Sequence, residues 1–156
     1  MIEGFVMKAL VANLCNNILE RGNKENIGIS PMKLQRLLYF VCRDYVRRTG
    51  QKPISEDFEV CQYGPVIPSV YGMFRFFGAS PIRGYAQDAF GKSYKVSERD
   101  NPVLASSLDT VWAKYKRLNG IELSQKTHQK GSGWYRAYMD GRDKISLEDI
   151  KNDTTE

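Results

Sequence analysis

Ser30-Pro31-Met32-Lys33-Leu34-Gln35-Arg36-Leu37-Leu38-Tyr39-Phe40, followed by Tyr63-Gly64-Pro65-Val66-Ile67-Pro68-Ser69-Val70-Tyr71, carries most of the architectural information in this chain. Ser30 offers a capping oxygen, and Pro31 at the first helical position lacks only a donor that would be orphaned there. The helix so started is expected to run to about Arg48 and to end at Gly50. At 100° per residue, Leu34, Leu37, Leu38, Val41 and Tyr45 share one face. Arg36, Arg43 and Arg47 share the opposite face, with Lys33 near them. The first set is expected in the core, and the second is expected to be solvated or partner-facing.

After a turn around Pro53, residues 57–63 alternate loosely and read as a short strand or an extended segment. Gly64-Pro65 then breaks the chain direction, and Pro68 opens a helix to about Phe77, closed by Gly78. Val70, Tyr71, Phe74 and Phe77 fall together on it. Residues 79–101 are irregular and polar and read as an exposed loop. Short extended pieces are expected within it near 80–84 and 93–97. A further helix is expected from Asn101-Pro102 to about Asn119, placing Leu104, Leu108, Val111, Trp112 and Tyr115 together, with Gly120 as its stop. Ser124 then reads as the cap of a short helix holding Thr127 and His128. Gly131-Ser132-Gly133 breaks it, and Trp134 to Tyr138 make another turn or two. Ser146 opens a last helix with acidic residues in its first turn, and Asn152 to Glu156 are expected to fray. Upstream, residues 5–20 read as a helix with Phe5, Leu10, Leu14 and Ile18 near one face. Gly22 is its expected left-handed cap, and Lys24 to Gly28 form an exposed polar loop. The fold class expected is mainly α: one compact helical domain over residues 1–156 with a minor β element.

A chain of 156 residues fits one domain. At 42% hydrophobic and 12% aromatic residues it has the composition of a globular protein. The net charge of +5 arises from 23 basic and 18 acidic residues. That balance permits nucleic-acid or acidic partners and compels neither. Cys15, Cys42 and Cys61 are odd in number and widely spaced, which argues against a disulfide framework or a zinc site. Cys15 and Cys42 read as small buried hydrophobes. Met1 to Leu19 has no secretory pattern, and no apolar run approaches the ~20 residues of a membrane span. The protein is expected in the cytoplasm, with no membrane partner.

His128, the only histidine, and Cys61 are the sole candidates for a thiol–imidazole pair, with Asp57 or Glu59 to orient the ring. Nothing in the spacing brings them together, and a structural histidine near a helix end is preferred. One His and three scattered Cys give no metal spacing, and neither GxGxxG nor GxxxxGK[ST] occurs. No enzyme activity and no cofactor are therefore expected. A nucleic-acid-binding regulator, using the Arg36, Arg43 and Arg47 face, is the alternative, not favoured because Asp44 interrupts the run. Protein–protein contact has the stronger case, since aromatic and Arg side chains are the commonest interface anchors. Tyr71, Phe74, Phe76 and Tyr85 crowd near the irregular loop, and Phe76 cannot share a helix face with Tyr71 and Phe74. Either one of these rings is partly exposed or all are core.

The order of motifs resembles the Panacea domain family of SocA-like antitoxins, often labelled phage-associated proteins. Lys33 to Phe40 is similar to the family's KLQKLLYY element, and Phe58 to Tyr71 to its FEAWxYGPVxPxVY element. Leu123-Ser124-Gln125-Lys126-Thr127-His128 followed by Trp134 resembles its LSxxTHxxxxxW element. On that resemblance Leu34, Leu37, Leu38, Tyr39, Tyr63, Gly64, Pro65, Val66, Tyr71, Thr127, His128 and Trp134 are motif positions with structural roles. One position departs: Cys61 stands where the family usually has Trp, which bears on the packing of the turn and on partner choice. The resemblance implies a mainly α antitoxin that neutralises a toxin by direct contact, the toxin being encoded beside it. A mobile-element accessory protein is a further alternative. Arg36, Arg43, Arg47, Tyr71, Phe74, Phe76 and Tyr85 are the candidate partner-binding residues.

Overall fold

The computed structural model describes residues 8–156. Its helices are α1 (Val11–Glu25), α2 (Pro31–Thr49), α3 (Pro68–Phe74), α4 (Pro102–Tyr115), α5 (Gly120–Thr127), α6 (Gly133–Met139) and α7 (Leu147–Lys151). Three short strands, β1 (Phe58–Cys61), β2 (Gly64–Val66) and β3 (Lys144–Ile145), form an antiparallel sheet in the order β2-β1-β3. The fold is mainly α with a minor β element. A single 3₁₀ turn, Arg75–Phe77, prolongs α3 before Gly78.

The axis of the fold is α2. The Ser30 hydroxyl accepts from the Lys33 backbone N–H at 3.2 Å, and Gly50 closes the helix in the left-handed region. Around α2 pack α1, α3, α4, α5, α7 and β2. Leu34, Leu37, Leu38, Tyr39, Phe40 and Val41 are buried, as an apolar face requires. The opposite face is buried as well: Lys33, Gln35, Arg36 and Arg43 have lost nearly all contact with solvent. For Arg36 and Arg43 this corrects the expectation of a solvated or partner-facing arginine face, whereas Arg47 stays exposed. A helix buried on both faces over residues 33–43 cannot leave its polar side chains unpaired, and these residues carry the hydrogen bonds that fasten distant segments to it.

Other boundaries differ for local reasons. The expected start of α1 near Phe5 lies outside the described residues. Gly22 does not cap α1. It lies within it, where a Cβ would come 2.7 Å from the Ile27 carbonyl oxygen, and Asn26 takes the left-handed cap instead. Helix α4 ends at Tyr115, and Gly120 begins α5 rather than ending α4. Asn119 and Glu122 form a reciprocal capping box there, so Ser124 lies inside α5. Residues 80–84 and 93–97 form no strand. Their backbone is held by two buried side chains of α1: Asn16 donates to the Ala86 and Tyr94 carbonyls and accepts from Ala86 N–H. Asn17 pairs in the same two-way manner with Val96. Nor do residues 152–156 fray, since Asp153 and Thr155 are buried against α2.

Candidate functional site

Two adjacent residues of α2 build the Tyr63-Gly64-Pro65 corner. The Gln35 amide reads the Ile67 backbone in both directions, donating to its carbonyl at 3.1 Å and accepting from its N–H at 3.0 Å. Arg36 donates through Nε to Ser124 Oγ at 3.0 Å and through Nη1 to the Pro65 carbonyl. Gly64 has φ +130°, and a Cβ at that position would lie 2.7 Å from both Arg36 Nε and Thr127 Oγ1. Glycine is therefore required twice, for its backbone angle and for the approach of the guanidinium. Thr127 is buried and donates to the Ser124 carbonyl at 2.7 Å. The Trp134 indole N–H donates to the Cys61 carbonyl at 2.8 Å, and the His128 ring packs on Trp134 at 4.2 Å. The three motif segments thus meet at one place.

Beside the corner lies a groove of about 610 Å³ between the start of α2, the β1–β2 turn and α3. Met32, Val66, Val70, Tyr63 and Tyr71 give it apolar walls, and Arg36, only 2% exposed, lines it from beneath. Arg75 and Glu59 stand among its lining residues. Tyr63 and Tyr71 are more than half exposed, and Phe76, between Arg75 and the groove-lining Gly78, is 93% exposed.

The remaining sequence candidates divide. Phe74 is buried, which corrects its place among partner-binding residues: Val70 and Phe74, four apart, turn the inner face of α3 to the core. Tyr71, one step around the helix from Val70, points outward instead of joining them. Tyr85 is partly exposed, and its hydroxyl oxygen accepts from Asn23 at 3.0 Å. Arg43 donates to Asp153 Oδ1 at 3.4 Å, to Thr155 Oγ1 at 2.7 Å and to the Tyr115 hydroxyl at 3.2 Å. Arg47, half exposed, donates to the Asp153 and Thr155 carbonyls at 2.8 and 2.9 Å. The Asp153 carboxylate also accepts from Tyr39 Oη at 2.7 Å and from Gly133 N–H at 3.0 Å. Two of the three arginines thus face a partner that is the chain's own residues 153–155. Gln35 and Asp153 were not singled out from sequence, and Ser124 was read only as a helix cap. Gln35 and Ser124 stand inside the quoted motifs, whereas nothing near Asp153 marks it.

The electrostatics of Cys61 and His128 run against a thiolate–imidazolium pair. Burial, with Glu59 adding, raises the Cys61 thiol, and Arg36 only partly opposes this. Burial, with Arg36 adding, lowers His128, and a backbone hydrogen bond with Gln62 opposes it. Both shifts favour neutral forms, and His128 Nε2 is buried with no hydrogen-bond partner among the described residues. No group of three or more metal-ligating side chains occurs among the described residues. No helix among them is long and apolar enough to cross a membrane.

Comparison with known proteins agrees with the convergence of motifs. Over 127 residues the chain is 29% identical to "Antitoxin SocA" of Caulobacter vibrioides (strain NA1000 / CB15N), covering 80% of this chain. It spans 66% of that protein's length, just under two thirds. No solved structure matches the chain. Residues 34–135 match the family described as Antitoxin SocA-like, Panacea domain, and they include α2 from Leu34 onward, the corner, α3, α5 and Trp134. The chain belongs to the SocA-like Panacea-domain antitoxin family.

Proposed function

We propose that this protein is an antitoxin that neutralises a partner toxin by direct contact, and that the toxin is encoded beside it. Family membership carries the reading. The surface around α3 supports it: Tyr63, Tyr71 and Phe76 stand exposed beside an apolar groove, and aromatic side chains of this kind anchor protein interfaces. Binding there needs no chemistry from the antitoxin. It needs an interface of roughly 1,200–2,000 Å² that occludes the toxin or holds it inactive. The site is non-catalytic in this reading, since its one thiol and one imidazole are both biased towards neutrality. A nucleic-acid regulator working through the α2 arginines is less favoured, because two of its three residues, Arg36 and Arg43, are buried.

Co-expression with the product of the adjacent gene tests the proposal. Arrest of growth by that gene alone, its relief by this protein and recovery of the two as one complex are the expected results. An adjacent product that is harmless, or toxic irrespective of this protein, would refute it.

A further inference from the structure

Among the described residues the two buried cations without a carboxylate partner are Lys33 and Arg36, of which Arg36 lines the groove. Buried Arg43 has Asp153, the partly exposed Arg21 has Glu98 and Asp109, and the partly exposed Arg142 has Asp149 and Asp140. Lys33 has no carboxylate within ion-pair distance among the described residues. Its ammonium is nevertheless taken up by the Lys116 carbonyl and lies 5.9 Å from the Trp112 ring centroid. Arg36 is as buried as any of these and has no carboxylate partner among the described residues. Its Nε and Nη1 are used by Ser124 and Pro65, and Nη2 donates to nothing described. A guanidinium carries five N–H donors in a fixed fork, and the unused edge belongs to a residue that lines the groove. Removing such a cation from water without a counter-ion is costly, and that cost falls when an anion arrives. Burial accordingly pushes Arg36 down to about 10, opposed only by the weak influence of Cys61.

We propose that the groove takes an apolar segment of a partner protein that carries one carboxylate, with the carboxylate seated on the Arg36 guanidinium. The inference rests on the antitoxin reading in taking that partner to be the toxin. The walls define the rest of the ligand. Met32, Val66 and Val70 suit aliphatic or aromatic side chains on either side of the acid, and Tyr63 and Tyr71 close over them from the rim. A carboxylate matches the planar fork of the guanidinium and gains strength in a site screened from water. A nucleic-acid strand does not fit these demands. It binds through many phosphate contacts, whereas this groove offers two arginines, one of them buried, which suits a single anionic group.

A titration followed by amide chemical shifts separates the alternatives. The probes are 3-phenylpropionate and its neutral isostere 3-phenylpropanamide. The expected result is saturable shifts at Met32, Tyr63, Val66 and Tyr71, with the carboxylate about tenfold tighter than the amide, as for a charge-assisted hydrogen bond worth about 1.4 kcal/mol. The preference should vanish in Arg36→Gln. Because Arg36 also braces the corner, Tyr71→Ala serves as a second variant that leaves the core alone, and it should weaken both probes several-fold. Equal binding of the two probes to the unaltered protein, or no saturable shift in the groove, would overturn the proposal. A growth assay separates this idea from the reading it rests on. If the unaltered protein rescues growth and Tyr71→Asp does not, both stand. If both rescue equally, the groove is not the contact, whereas the antitoxin reading survives. If the unaltered protein fails to rescue, the antitoxin reading falls, and the probe titration alone decides the groove.

Discussion

Single side chains decide more here than the apolar pattern suggests. Asp153 accepts hydrogen bonds from Tyr39, Gly133, Thr155 and Arg43 while wholly buried. Asp153→Ala leaves Arg43 as a buried unpaired cation and is expected to destabilise the fold by ~3–5 kcal/mol, read as a shift in urea midpoint. Gly64→Ala adds an atom against Arg36 and Thr127 and forces an L-residue to φ +130°. It is expected to cost about 1–3 kcal/mol and to perturb the His128 and Trp134 resonances nearby. His128 itself gives a pH dependence. Burial and Arg36 hold its folded value below the ordinary 6.5, so between the two values the unfolded chain binds more protons. The stability it contributes is present above pH 6.5 and is lost as pH falls towards the folded value. The single imidazole makes this direct to check. Its NMR titration midpoint should lie below 6.5, and it should rise in Arg36→Gln, which removes the neighbouring charge.

Helices and strands were legible to different degrees, and the reasons are physical. The start of α2 was readable because Ser30-Pro31 acts locally, and its end because Gly50 does. The β1 segment and the break at Gly64-Pro65 were readable for the same reason. The burial of the polar face of α2 was not, because a helical wheel treats Arg36 and Arg43 as charges and cannot see Ser124 or Asp153 some 90 to 110 residues away. Likewise the 79–101 segment looked loose because its hold comes from outside, from Asn16 and Asn17 on α1. Asn16→Ala is expected to strand the Ala86 N–H and the two carbonyls, a loss of about 1–3 kcal/mol. Limited proteolysis should then cut between Ala86 and Val96, where the unaltered protein resists. The groove was half legible. Its aromatic rim at Tyr63 and Tyr71 stood in the motifs, whereas Arg36 was assigned to an outer surface and is buried.

Taken whole, the molecule separates what holds it together from what it displays. Helix α2 and its polar ties form the interior, and the exposed rings collect on α3 and the segment after it. Phe76 and Phe90 are the two most exposed large apolar side chains described. Phe76→Ser is therefore expected to leave the urea midpoint within about 0.5 kcal/mol of the original while weakening capture of the toxin in a pull-down. Equal capture would show that the ring lies outside the interface.

The tie between α2 and Asp153 also has a meaning in time. Tyr39 and Arg43 leave the ribosome more than a hundred residues before the carboxylate that completes them. Until Asp153 emerges, Arg43 remains a cation without its counter-charge, and α2 cannot settle into its final surroundings. Because chains fold as their domains appear, the emergence of residue 153 is also the step that locks the central helix. A chain interrupted short of residue 153 would hold nearly every element of this fold without the bond that closes it, and so would be exposed to clearance.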